Sequence, residues 1–222
     1  MLVLSLFCAL TVSSILNSSQ VNRNNWHFVT SAKAEEAGEK ASAETTNSEK
    51  QSFFTSKSEE PKSFGQRLSD AAIERTKYVV IYNPQYFKIP YPGGDVPDHY
   101  GVCSDVVIRA YRALGIDLQK DVHQKLGGDR NIAHRRVRVL RRLFAKYGQR
   151  LQVSNKADDY KPGDIVTYYI PEAIFSKDHI AIVTDKIGTS GAPMIVHNIG
   201  LGPKLDDDLL SWKITGHYRY KN

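Results

Sequence analysis

Tyr100-Gly101-Val102-Cys103-Ser104-Asp105-Val106-Val107-Ile108-Arg109-Ala110-Tyr111-Arg112-Ala113-Leu114-Gly115 is the stretch on which the fold turns. Val106, Val107, Ala110, Tyr111 and Leu114 recur at three- and four-residue intervals and stop at Gly115, a residue suited to the position just past a helix end. The spacing predicts a helix that opens at Cys103, with the cysteine on the packed side beside Val107 and Ala110. Its sulfur would then meet unpaired N–H groups and the positive end of the helix dipole, and both favour the thiolate. A buried cysteine packing as a small hydrophobe is the commoner fate of a lone thiol, so the rest of the chain must decide.

Downstream the period changes from helical to alternating. Strands are expected over 164–170, after the turn Lys161-Pro162-Gly163, over 179–186, over 193–199 and over 212–220. The middle two should form an antiparallel hairpin across Gly188 to Ala192. If opposed positions sum to an even number, His179, Ala181, Ile195 and His197 share a face; an odd sum places Asn198 beside His179 instead.

The 222 residues, 41% hydrophobic and 24% charged, allow one domain of ordinary size with a leading extension. Leu2 to Leu16 carries no charge and has the length of a signal-peptide apolar region, short for a membrane span. Residues 1–33 therefore read as a signal peptide or an N-terminal membrane anchor, and the remainder as exported, periplasmic or extracellular. Residues 34–63, rich in Glu, Lys, Ser and Thr, read as a disordered linker, which leaves 64–222 for the folded domain. Once Cys8 is set aside with the leader, Cys103 is a single thiol with no internal disulfide partner.

The net charge of +6 points to an acidic partner. Much of it lies between Arg130 and Lys146, where Ile132, Val139, Leu140, Leu143 and Phe144 thread through the basic residues at helical spacing. An amphipathic helix with a solvated basic face accounts for that pattern, with Asp129 or Asn131 as its cap. No recognition motif accompanies the arginines, so nucleic acid is not expected as a partner.

Nucleophilic catalysis needs a nucleophile, a base and a group that fixes the base's tautomer. Cys103, His179 and His197 can fill those roles in that order. Asp178 adjoins His179, so on a strand it points to the opposite face. Cys103, His179, His197 and His99 are also acceptable zinc ligands, but no short paired spacing supports a metal centre, and the expectation is no metal and no cofactor.

Several motifs resemble known families. Tyr91-Pro92-Gly93-Gly94, Val102-Cys103-Ser104-Asp105, Pro162-Gly163-Asp164-Ile165-Val166 and His179-Ile180-Ala181-Ile182-Val183 resemble NlpC/P60 cell-wall cysteine peptidases, with Asp105 where a glycine is usual. Asn131-Ile132-Ala133-His134-Arg135-Arg136-Val137, Gly163-Asp164-Ile165-Val166, His197-Asn198-Ile199-Gly200 and Gly216-His217-Tyr218-Arg219-Tyr220 resemble the DUF1287 family, with Ala133 in place of an aspartate.

These resemblances imply a papain-like α+β fold, with N-terminal helices and the nucleophile helix packed on an antiparallel sheet. They imply hydrolysis of an amide bond in peptidoglycan stem peptides, with peptidoglycan or wall-derived peptides as partners of a monomer. The backbone N–H of Cys103 would help bind the oxyanion, and Tyr91 would supply a second hydrogen bond. Arg135, Arg136 and Arg219 would hold substrate carboxylates, and Asn198 would join the substrate-binding group. A non-catalytic module that holds wall peptides in the same cleft is the alternative.

Overall fold

Ser63 caps the first helix, α1 (Phe64–Glu74), through a capping box: its hydroxyl accepts from the Gln66 N–H while the Gln66 side chain accepts from the Ser63 N–H. The structure is a computed structural model that describes residues 60–221. The leader over 1–33, Cys8 and nearly all of the linker over 34–63 lie outside the described residues.

Helix α2 (Cys103–Ala113) begins at the residue its spacing predicts. Every position from Cys103 to Tyr111 is buried, which makes α2 the central helix rather than a half-exposed one. Its polar residues are therefore paired: the Ser104 hydroxyl donates to the Arg135 carbonyl, and Arg109 donates to Asp95 and to three backbone carbonyls. Helix α3 (Leu118–Leu126) follows, its first turn capped by the Asp117 carboxylate. Helix α4 (Val137–Tyr147) carries the basic face, but it starts later than the sequence suggests. Ala133–Arg135 forms a separate 3-10 turn and Arg136 is extended, because Arg135 is pulled inward to a buried partner.

The helices pack on one six-stranded antiparallel sheet. Its strands are β3 (Gln149–Leu151), β4 (Ile165–Tyr169), β5 (Asp178–Ile187), β6 (Pro193–His197), β7 (Lys204–Asp206) and β8 (Lys213–Arg219), in the order β3-β8-β4-β5-β6-β7. Two short strands, β1 (Ile81–Tyr82) and β2 (Tyr100–Gly101), pair in parallel and lead into α2. The architecture is the expected α+β arrangement, with the helix that opens at Cys103 against an antiparallel sheet.

Alternation divides the sheet into two faces. Ile165, Ile180, Ile182 and Val196 pack with Val107, Leu140, Leu143 and Phe144 of the helices. Tyr168, Ala181, Val183 and Ile195 turn to the opposite face and pack with Leu209 and Trp212. Each fully buried aliphatic or aromatic side chain contributes about 1.5–3 kcal/mol. The turn before β4 locks α1 in place: Gly163 has φ +84° and lies against Gly65, leaving no room for a side chain at either position.

Candidate active site

The hairpin register follows from two cross-strand pairs, Ile182 with Val196 and Val183 with Ile195. Opposed positions sum to an even number, so His179 and His197 share a face and Asn198 turns to the other. His179 Nε2 lies 2.9 Å from His197 Nδ1. His197 Nε2 in turn lies 3.0 Å from Asp206 Oδ2 on the next strand. Both rings are buried, and Trp212 sits edge-on to them at centroid distances of 6.1 and 5.5 Å.

This chain of contacts fixes the protons. A carboxylate accepts only, so His197 donates from Nε2 to Asp206 and offers its Nδ1 lone pair to the Nε2–H of His179. His179 Nδ1 then carries a lone pair. That atom has no hydrogen-bond partner among the described residues.

Cys103 lies at the N-terminus of α2, packed against β5. Its sulfur accepts from the backbone N–H of Ile180, the residue after His179, and from the Ser104 N–H and the Tyr82 hydroxyl. It lines a cleft of about 430 Å³ whose walls include Tyr82, Arg136, Arg138, Phe175 and Asp178. Arg138 Nε and Asp178 Oδ2 close to 2.6 Å at the rim. No hydrogen bond joins the sulfur to either histidine among the described residues.

The electrostatics correct one expectation. Burial, and then the charge of Asp105, push the Cys103 thiol up to about 12, outweighing the three donors that favour the thiolate. Burial, and then the neighbouring His197, hold His179 down to about 3. Burial lowers His197 as well, opposed by its bond to Asp206. The empty site therefore rests as neutral thiol and neutral imidazole rather than as an ion pair.

Four residues expected to bind substrate are engaged in other contacts. Tyr91 is not a cleft residue; it stands edge-on to His123 at 5.0 Å and beneath the Arg130 guanidinium. Arg135 lines the cleft but is spent on structure: all its nitrogens donate, to both Asp105 oxygens and to the carbonyls of Asn83 and Gln85. Arg219 and His217 both bind the buried carboxylate of Asp164, which ties the last strand to the Pro162-Gly163 turn. Asn198 is buried on the helix face of the sheet, the face opposite the two histidines, where it lies beside Val102, Asp105 and Val106 and its oxygen accepts from the Gly200 N–H. Arg136 alone of the three arginines is exposed at the cleft, its side chain making no hydrogen bond or ion pair among the described residues. His99, weighed as a zinc ligand, is exposed and stacks on Tyr100.

Two contributors were missed. Tyr82, on a two-residue strand, gives no periodic signal, and Asp206 sits in Leu205-Asp206-Asp207-Asp208, where nothing local distinguishes it from its acidic neighbours.

Comparison with known proteins gives similarities of three kinds, to a curated protein, to solved structures and to a family model. The uncharacterized protein YijF of Escherichia coli (strain K12) is 38% identical over 167 residues, covering 69% of this chain and 80% of that protein. The structures of NlpC1 and NlpC2 from Trichomonas vaginalis align at 21% identity, with TM-scores of 0.42 and 0.41. Each alignment covers 70% of this chain, which spans less than half of either structure, 44% and 46%. Residues 69–220 match the model described as Domain of unknown function (DUF1287). On that match, together with the likeness to YijF, the chain belongs to the DUF1287 family.

Proposed function

We propose that this protein is a cysteine hydrolase that cleaves an amide bond in peptidoglycan stem peptides, acting as an exported monomer. The observation that carries the reading is the Asp206–His197–His179 chain, which leaves the Nδ1 lone pair of His179 without a partner among the described residues. The rings lie on the sheet face opposite α2, so in the reaction the His179 ring turns past the start of β5 to meet the sulfur. Such a chain suits a nitrogen that must accept a proton.

In this mechanism Cys103 Sγ attacks the amide carbonyl as His179 Nδ1 takes the thiol proton. The same nitrogen then protonates the leaving amine, giving a thioester that water hydrolyses with His179 as base. Because the resting groups are neutral, proton transfer accompanies attack instead of preceding it. The Cys103 backbone N–H, at the start of α2, faces the developing oxyanion. Arg136 binds a substrate carboxylate, while Tyr82, Val137 and Phe175 supply apolar walls. The wall peptide is supported by the motif resemblance and by the free cation in the cleft.

The test is digestion of purified wall fragments by wild type and Cys103→Ala, with product masses read out. Wild type should release cleaved stem peptides and the variant none; equal release by both, or none by either, overturns the proposal.

Two observations favour a second reading, a peptide-binding module without turnover: the raised thiol, and a sulfur with no bond to His179, whose ring lies on the sheet face opposite α2. Iodoacetamide separates the two. A working site loses its thiol within the native fold at neutral pH, whereas an inert one reacts only after unfolding.

A further inference from the structure

The His197–Asp206 contact opens onto a third group. His197, Asp206 and Asp208 each offer one ligand atom, and these atoms all lie within 4.8 Å of one another. His197 Nε2 and Asp206 Oδ2 are already 3.0 Å apart. Two ligands at about 2.0–2.1 Å from a tetrahedral zinc stand about 3.3 Å from each other, so this pair needs almost no movement to share an ion. The histidine is buried against Trp212, which limits its motion, while the Asp206 side chain is 34% exposed and leaves a path for entry. One imidazole with two carboxylates and open positions suits a borderline divalent cation such as Zn²⁺.

We propose that this triplet is an inhibitory site for a divalent transition-metal ion, which switches the hydrolase off by reversing its proton chain. The switching rests on the proposed function; the binding does not.

In the metal-free state each ring carries one proton, on Nε2 of His179 and on Nε2 of His197. A metal on His197 Nε2 takes that lone pair, so the His197 proton must sit on Nδ1 and point at His179. His179 Nε2 then has to accept, and its own proton moves to Nδ1, the atom that should receive the thiol proton. Each ring still holds one proton, and no net charge leaves the pair. The nitrogen that served as base has become a donor. This differs from thiol poisoning, in which the metal sits on sulfur and Asp208 has no part.

The experiment is Zn²⁺ titration of wild type, Asp208→Asn, Asp206→Asn and Cys103→Ala by calorimetry at neutral pH. A parallel Co²⁺ titration reads the ligand set by absorbance. Wild type and Cys103→Ala should bind one ion with equal affinity and without a sulfur-to-cobalt charge-transfer band. Asp208→Asn should lose at least tenfold in affinity while keeping its metal-free activity, and Asp206→Asn should lose at least as much. No binding by wild type, binding indifferent to both aspartate variants, or binding that vanishes with Cys103→Ala would each overturn the site. A dead enzyme that binds zinc normally would sink the hydrolase reading and leave the metal site standing.

Discussion

The guanidinium of Arg135 grips both oxygens of Asp105, at 2.9 Å to Oδ1 and 2.8 Å to Oδ2, with both side chains almost fully buried. Asp105 also accepts from the Val102 N–H at 2.7 Å, so one carboxylate caps α2 and joins it to the 3-10 turn before α4. The DUF1287-like Asn-Ile-Ala-His-Arg-Arg segment is thus a brace for the helix start.

Arg135→Met leaves a buried carboxylate without its countercharge, and should destabilise the fold by about 3–5 kcal/mol. Adding Asp105→Asn, which keeps an acceptor for Val102 but removes the charge, should recover part of that loss. Urea unfolding of the single and double variants measures the coupling.

Asp206 is a positioning residue whose acceptor sets the His197 tautomer. Asp206→Ala should lower kcat about 10- to 100-fold, in the range seen when a supporting hydrogen bond is lost, with KM unchanged. Asp206→Asn, turned to present its oxygen, should restore most of the rate. A purely structural role would show the same loss in both variants and a fall in Tm.

Arg136 is the free cation of the cleft. Arg136→Ala should raise KM about tenfold for a peptide with a free carboxylate and leave kcat in place, consistent with loss of one charge-assisted hydrogen bond. The same peptide with that carboxylate amidated should bind both proteins alike.

Acid should weaken the fold through its buried imidazoles. His134, held down to about 4 by burial, and His179, at about 3, are neutral inside the protein but titrate near 6.5 when unfolded. The unfolded chain therefore binds more protons across this window. Stability is full above about pH 6.5 and is lost as pH falls toward the folded values, by about 1.4 kcal/mol per pH unit for each group. His134 Nδ1 has no partner to lose, so His134→Gln should fold and show a shallower decline between pH 7 and pH 5 in urea titrations.

The elements with strong periodicity were legible from residue order: α2 opened at Cys103, and the β5–β6 register followed the even-sum alternative that pairs His179 with His197. What escaped was set by tertiary contact. An exposed basic helix predicts nothing about Arg135 turning inward, because the cause is Asp105, thirty residues earlier. Arg219 looked like a substrate ligand for the same reason: its partner Asp164 lies 55 residues away along the chain. The helix-dipole argument for a thiolate failed because α2 proved central, so desolvation outweighed the N-terminal field.

His179, His197, Asp206 and Trp212 all come from one contiguous stretch of chain, strands β5 to β7 and the turn before β8, whereas the sulfur rides on a helix some seventy residues upstream. The wiring that prepares the imidazole is consequently portable: grafting this C-terminal meander from one family member onto another would transplant an intact relay, and only its fit against the incoming helix would need to be tuned.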